Sequence, residues 1–165
     1  MNHIVISCIG PDQTGIVDTL SKIINENQGN WQVSSLHHLS GFFAGVIEVA
    51  ISDDNTQPLI SALEAIKGLN CQIEISETNS EKVSTNLSLE LTANDRVGIV
   101  QEISSVIHQQ GGNLIKLISS QASAAHTGQL MFHAKVQVAM NEVDVDELIS
   151  ALEHIADDLM VDITR

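Results

Sequence analysis

The sequence predicts an α+β chain in which one strand–helix–strand–strand–helix–strand unit occurs twice. Three observations carry that reading. The hexapeptide "LISALE" appears at 59–64 and again at 148–153. The longer stretch "DQTGIVDTLSKIINENQGN" (12–30) aligns with "DRVGIVQEISSVIHQQGGN" (95–113), with eight of nineteen positions identical. Between these signals, apolar residues alternate with period two in some segments and recur with helical spacing in others. Self-similarity at a fixed distance marks duplication rather than chance. The offset is 83 residues at the long match and 89 at the hexapeptide, so the second copy has six extra residues between Asn113 and Leu148.

Each element can be justified in order. "HIVISCI" (3–9) places Ile4, Ile6 and Cys8 on one face, as a half-buried strand does. Ile16, Val17, Leu20, Ile23 and Ile24 form the stripe of an amphipathic helix. Asp12 is placed to cap its start and Gly29 to end it. "NWQVSSLHHL" and "FFAGVIEVAI" read as two strands joined at Ser40–Gly41. A second helix carries Leu59, Ile60, Leu63 and Ile66; Pro58 suits its entry and Gly68 its exit. "CQIEIS" closes the unit as a strand. The second copy repeats the order: "NLSLELT", a helix with Ile99, Val100, Ile103, Val106 and Ile107, and a strand from Leu114. "MFHAKVQVAM", a helix with Leu148, Ile149, Leu152 and Ile155, and "MVDIT" complete it. The six extra residues fit best in the small, polar "SSQASAAHTGQ" (119–129).

This order is the ferredoxin-like split βαβ pattern. Right-handed crossovers place both helices on one face of a four-stranded antiparallel sheet, with expected strand order 4-1-3-2. The predicted domains are 1–79 and 84–165, linked by the polar "TNSEKVST" (78–85).

Composition removes several function classes. The net charge of −14 is shared evenly, and no Lys/Arg cluster exists to meet a phosphate backbone, so no direct nucleic-acid contact is expected. RNA-recognition modules of this topology stack bases on strand aromatics, and the chain has three Phe, one Trp and no Tyr. The seven histidines lack ligand spacing; His37 and His38 are adjacent on a strand and point to opposite faces, so no metal site is expected. No nucleophile elbow, Walker loop or dinucleotide fingerprint appears, so the expectation is a protein that is not an enzyme and carries no cofactor. Cys8 and Cys71 are isolated, apolar runs are too short to span a membrane, and "MNH" leads straight into a strand without signal-peptide features. The expected location is the cytoplasm.

The loops "GPDQTGIV" (10–17) and "ANDRVGIV" (93–100), with "QGN" (28–30) and "GGN" (111–113) after the helix, resemble the ACT domain family. ACT domains are regulatory modules that bind amino acids, often beside metabolic enzymes or regulators. Where the family often has Pro before the loop glycine, this chain has Thr14 and Val97. The resemblance covers nearly the whole chain in two copies. It implies a regulatory protein that senses a small amino acid, glycine or similar, and acts by contact with a protein partner such as a DNA-binding transcription regulator. The alternative is an interaction module or enzyme regulatory subunit without its own ligand response. The two edge strands that each sheet leaves further suggest a homodimer.

The ligand site implied comprises Gly10, Asp12, Gln13, Thr14, Gly15 and Ile16 in the first loop, and Asn94, Asp95, Arg96, Val97, Gly98 and Ile99 in the second. For Asp12 and Asp95, helix capping and contact with a ligand ammonium both remain open. Gly15 and Gly98 are expected within the first helical turn, where Gly is costly, so something should approach the backbone closely. That something is either a packed strand or a ligand carboxylate on free helix N–H groups. Asn30 and Asn113 suit turn chemistry. By resemblance, they could also contact the ligand from across an interface.

Overall fold

A computed structural model describes residues 1–76, 85–140 and 144–164. The chain divides into two compact units, Met1–Glu81 and Lys82–Arg165. The expected linker at 78–85 falls almost wholly outside the described residues.

The first unit runs β1 (Asn2–Pro11), α1 (Ile16–Glu26), β2 (Asn30–Leu39), β3 (Phe42–Ile51), α2 (Asp53–Glu64) and β4 (Asn70–Ser76). The second runs β5 (Thr85–Asn94), α3 (Ile99–Gln109), β6 (Gly112–Ser123), β7 (Leu130–Met140), α4 (Val145–Glu153) and β8 (Met160–Thr164). The sheets have orders β2-β3-β1-β4 and β6-β7-β5-β8, the predicted 4-1-3-2 read from the other edge. All strand pairs are antiparallel.

Period two in the strands and helical spacing in the helices bury one face of each. In unit one, Ile4 and Ile6 of β1 pack with Ile47 and Val49 of β3, under Leu20 and Ile24 of α1 and Leu59 and Leu63 of α2. In unit two, Leu89 and Leu91 of β5 meet Val136 and Val138 of β7 under Ile103 and Ile107 of α3 and Leu148 and Leu152 of α4. The repeated hexapeptide is therefore core in both copies: its two leucines are 0% exposed each time. Burying one such side chain is worth about 1.5–3 kcal/mol, which explains why this face was kept.

Three local expectations need correction. Pro58 lies inside α2, not at its entry. The helix starts after Ser52, where the Thr56 hydroxyl donates to the Ser52 carbonyl at 2.9 Å and Asp53 and Asp54 occupy the first turn. Acidic residues there oppose the positive helix end, and this start signal outweighed the proline. Gly29 is also not the left-handed residue that ends α1; Gln28 is, at φ 58°. A Cβ on Gly29 would sit 2.9 Å from Val49 Cγ1, so glycine is needed there for packing. Finally, Ser119–Ser123 belong to β6, and the longer connection of unit two is 124–129. It replaces the Ser40–Gly41 turn, whose two residues both have positive φ, as a tight hairpin requires.

Candidate functional site

Each β1–α1 type loop is fixed at its start by the neighbouring hairpin. The Asp12 backbone N–H donates to the Gly41 carbonyl at 2.9 Å, and Asp95 N–H to the Leu130 carbonyl at the same distance. The aspartate side chains point the same way. Asp12 Oδ2 lies 3.5 Å from His38 Nε2 on β2, and Asp95 accepts from the Gln121 amide on β6. His38 and Gln121 are equivalent positions, 83 residues apart. Neither aspartate caps a helix, which corrects the capping expectation: no side chain caps α1 or α3.

The N-cap residues are Gly15 and Gly98, at φ 87° and 88°. They precede the first turn, against expectation, and an added Cβ on either would meet nothing within 4 Å. Left-handed backbone, not close packing, accounts for glycine here. The consequence is chemical. With no capping side chain, the first-turn N–H groups of α1 remain available as donors, beside the positive end of the helix dipole.

In unit one this helix start opens on a cavity of about 140 Å³. Pro11, Gln13, Thr14, Ile16, Thr19 and Leu20 form one wall; Ile66, Lys67, Gly68 and Leu69, between α2 and β4, form the other. Gly10 holds the walls together. A Cβ on it would lie 2.1 Å from the Gly68 carbonyl oxygen, so only glycine lets β1 approach that turn. Among the lining residues Lys67 alone carries a charge.

Unit two differs at the same places. Arg96 stands where unit one has Gln13, and Glu102 where it has Thr19. They form a two-bond ion pair across the start of α3. The Arg96 guanidinium holds the Glu102 carboxyl below its ordinary range, and the carboxylate raises Arg96 in turn. The turn equivalent to Lys67–Gly68 holds Ala156, Asp157 and Asp158, one residue longer. Asp158 Oδ2 accepts from the Asn94 backbone N–H at 2.6 Å. Beside Arg96 and Glu102 lies a wide depression of about 570 Å³.

The loop residues named from sequence thus have different fates. Gln13, Thr14 and Ile16 line the first cavity, and Gly10 supports it. Asp12 turns toward His38. In unit two Arg96 borders the depression, Val97 is fully exposed and Ile99 is core. Asn30 opens β2 and Asn113 is the second residue of β6. The 11-residue helices separate them from their own loops by roughly 16 Å at 1.5 Å per residue. Sequence reading missed Thr19 and the Ile66–Leu69 wall. A signal existed: in "IKGL" the second copy exchanges a Lys and a Gly for Ala and two acids. Among the described residues no group of His, Cys, Asp and Glu could hold a metal ion, and no helix is long and apolar enough to cross a membrane.

Residues 2–76 match the family model of the ACT domain. The first unit is an ACT domain. The second repeats its topology, register and core, so the chain is a tandem of ACT-type folds. A protein of unknown function from Galdieria sulphuraria has a similar structure: 23% identity, TM-score 0.83, covering 98% of this chain and 96% of that one. A candidate glycine cleavage system transcriptional repressor aligns at 15% identity and TM-score 0.70, over 99% of this chain and 96% of its own. Both match this fold over nearly the full length of each chain; at such identities the likeness speaks for fold. No curated protein matches the chain.

Proposed function

We propose that this tandem ACT protein is a non-catalytic, cytoplasmic regulator that senses a small amino acid and acts on a transcription regulator through protein contact. The observation that carries the proposal is the unit-one cavity. A volume of about 140 Å³ lies well below the roughly 300–1,000 Å³ of pockets for drug-sized ligands, which favours glycine or a similarly small molecule. A carboxylate fits the uncapped N–H groups of α1 and the Lys67 ammonium. An ammonium fits the uncharged oxygens of Gln13, Thr14 and the Gly68 carbonyl. In unit two, Arg96, Glu102 and Asp158 satisfy one another or the backbone, which favours one ligand per chain.

The structural likeness to a candidate glycine cleavage repressor supports a role in transcription. With a charge of −14, contact with DNA would have to pass through a protein partner. The sheet edges β2, β4, β6 and β8 offer the pairing surface for a homodimer, in which Asn30 or Asn113 of a neighbouring unit reaches the ligand.

Calorimetry against the twenty amino acids tests the reading. Saturable binding of a small amino acid at one site per chain is expected. Silence with all twenty would sink it in favour of an interaction module without a ligand; two equal sites would remove the assignment to unit one.

A further inference from the structure

The chain has two cysteines, 63 positions apart, and the fold brings them face to face: Cys8 of β1 and Cys71 of β4 are direct partners in the antiparallel register. Both side chains lie on the helix-covered face. Cys8 follows the buried alternation Ile4, Ile6, Cys8, and Cys71 is partly buried against the same cluster. Antiparallel partners have Cα atoms roughly 4.5–5.5 Å apart. A disulfide spans about 4.4–6.8 Å, so no strand need move. At the equivalent pair in unit two, Leu91 and Val161, the duplicated fold holds aliphatic side chains. The position tolerates ordinary core residues, so packing does not require cysteine.

We propose that Cys8 and Cys71 form a reversible thiol–disulfide site whose reaction partner is a small-molecule disulfide. Both thiols are free and face each other across the strand pair. Cys71, on the edge strand and less buried, is the point of entry. Its thiolate attacks one sulfur of the reagent and displaces one thiolate, leaving Cys71 in a mixed disulfide. Cys8 then attacks Cys71 Sγ and displaces the second thiolate. Two protein thiols are oxidised, one reagent disulfide is reduced, and the two protons pass to the departing thiolates. Burial pushes the Cys8 thiol up to about 12 and raises Cys71 as well. Thiols of this kind react slowly but are poor leaving groups, so the disulfide, once formed, resists reduction. It would tie β1 to β4 two residues from Gly10 on one side and from Leu69 on the other, at the root of the cavity.

The test uses the full chain in mixtures of oxidised and reduced glutathione, with alkylation and mass spectrometry of the quenched protein. Both thiols should vanish together, with loss of two hydrogens and a cross-linked peptide pair containing Cys8 and Cys71. Reduction should restore them. Cys8→Leu, a residue the fold already uses at that place, should trap Cys71 as the glutathione adduct. A lasting adduct on Cys71 in the unaltered chain, an interchain disulfide through Cys71, or two persistent thiols while the urea-unfolded chain oxidises would each overturn the assignment.

Discussion

Replacing Gly15 with Ala isolates a purely conformational cost. The residue sits at φ 87°, and an added Cβ meets nothing within 4 Å, so no contact can be gained or lost. An L-residue in the left-handed region pays about 1–2 kcal/mol. Restricting the unfolded chain returns about 0.4–1 kcal/mol of that. The net loss is therefore about 1 kcal/mol, and Asn, which tolerates this region, should lose only a few tenths. Gly29→Ala makes the opposite case: the clash with Val49 should cost roughly 1–3 kcal/mol by overpacking, and Asn should be worse than Ala.

The chain supplies its own reporter. Its single Trp, Trp31, packs against the unit-one core. Urea unfolding followed by Trp fluorescence therefore reads unit one, whereas circular dichroism reads both. With m near 1–2 kcal/mol per molar, Gly15→Ala should lower the fluorescence midpoint by about 0.5–1 M. Gly98→Ala should leave that midpoint in place and appear only in circular dichroism. An unchanged fluorescence midpoint for Gly15→Ala, or an Asn variant as damaged as Ala, would refute the conformational account. Equal shifts from Gly98→Ala would refute the independence of the two units on which the assignment rests.

The other predictions are shorter. Lys67→Glu should weaken amino-acid binding by roughly ten- to a hundredfold, because hydrogen bonds to charged groups are worth about 1.5–3 kcal/mol; calorimetry with unaltered affinity would place the carboxylate elsewhere. Leu59→Ala and Leu148→Ala should each cost about 2–5 kcal/mol, the first visible to Trp31 and the second not. Glu102 should titrate below the ordinary glutamate range by NMR and return to that range in Arg96→Gln. Since its folded value is depressed, its contribution is present above the unfolded value and fades as pH falls through the folded one. Both groups are solvent-exposed, so the effect on stability should be slight.

Much of this architecture was legible because the duplicated pattern tests itself. Ile4/Ile6/Cys8 and Leu87/Leu89/Leu91 alternate alike, and two helix stripes carry the same hexapeptide, so an accident in one copy is checked by the other. Alternation gave the buried face of β1 and β7, while the residue pairing of β1 with β3, which sets Ile6 beside Ile47 and Ile4 beside Val49, came from the structure. What escaped was local backbone geometry. Asp12 looked like a cap because it precedes an apolar stripe, but the hydrogen bond from its N–H to Gly41 turns the loop so that Gly15 takes the cap position. The cavity wall escaped for another reason. Lys67 lies 54 residues beyond Gln13, and only the topology of β1 beside β4 brings them together.

The divergence of the two copies is better explained by chemistry at the loop than by stability. The cores are interchangeable in kind, with Leu59 and Leu63 matched by Leu148 and Leu152. The differences concentrate at Gln13/Arg96, Thr19/Glu102 and the turn holding Gly68 or Asp157–Asp158. Unit two gains Arg96, Glu102 and two acids in the turn while losing Lys67 to Ala156, yet its Arg96–Glu102 ion pair is exposed, and such pairs contribute at most about 1 kcal/mol. Stability therefore gives little reason to keep them. Their larger effect is on what the helix end can accept. Beside α3 the one cation, Arg96, is already paired with Glu102, and Asp158 is bonded to the Asn94 backbone, whereas the cavity at α1 is lined by Lys67 and uncharged residues. On the proposed reading, both helix termini lack a capping side chain, and what separates them is that Lys67 beside α1 is left for a ligand carboxylate while Arg96 beside α3 is engaged by Glu102.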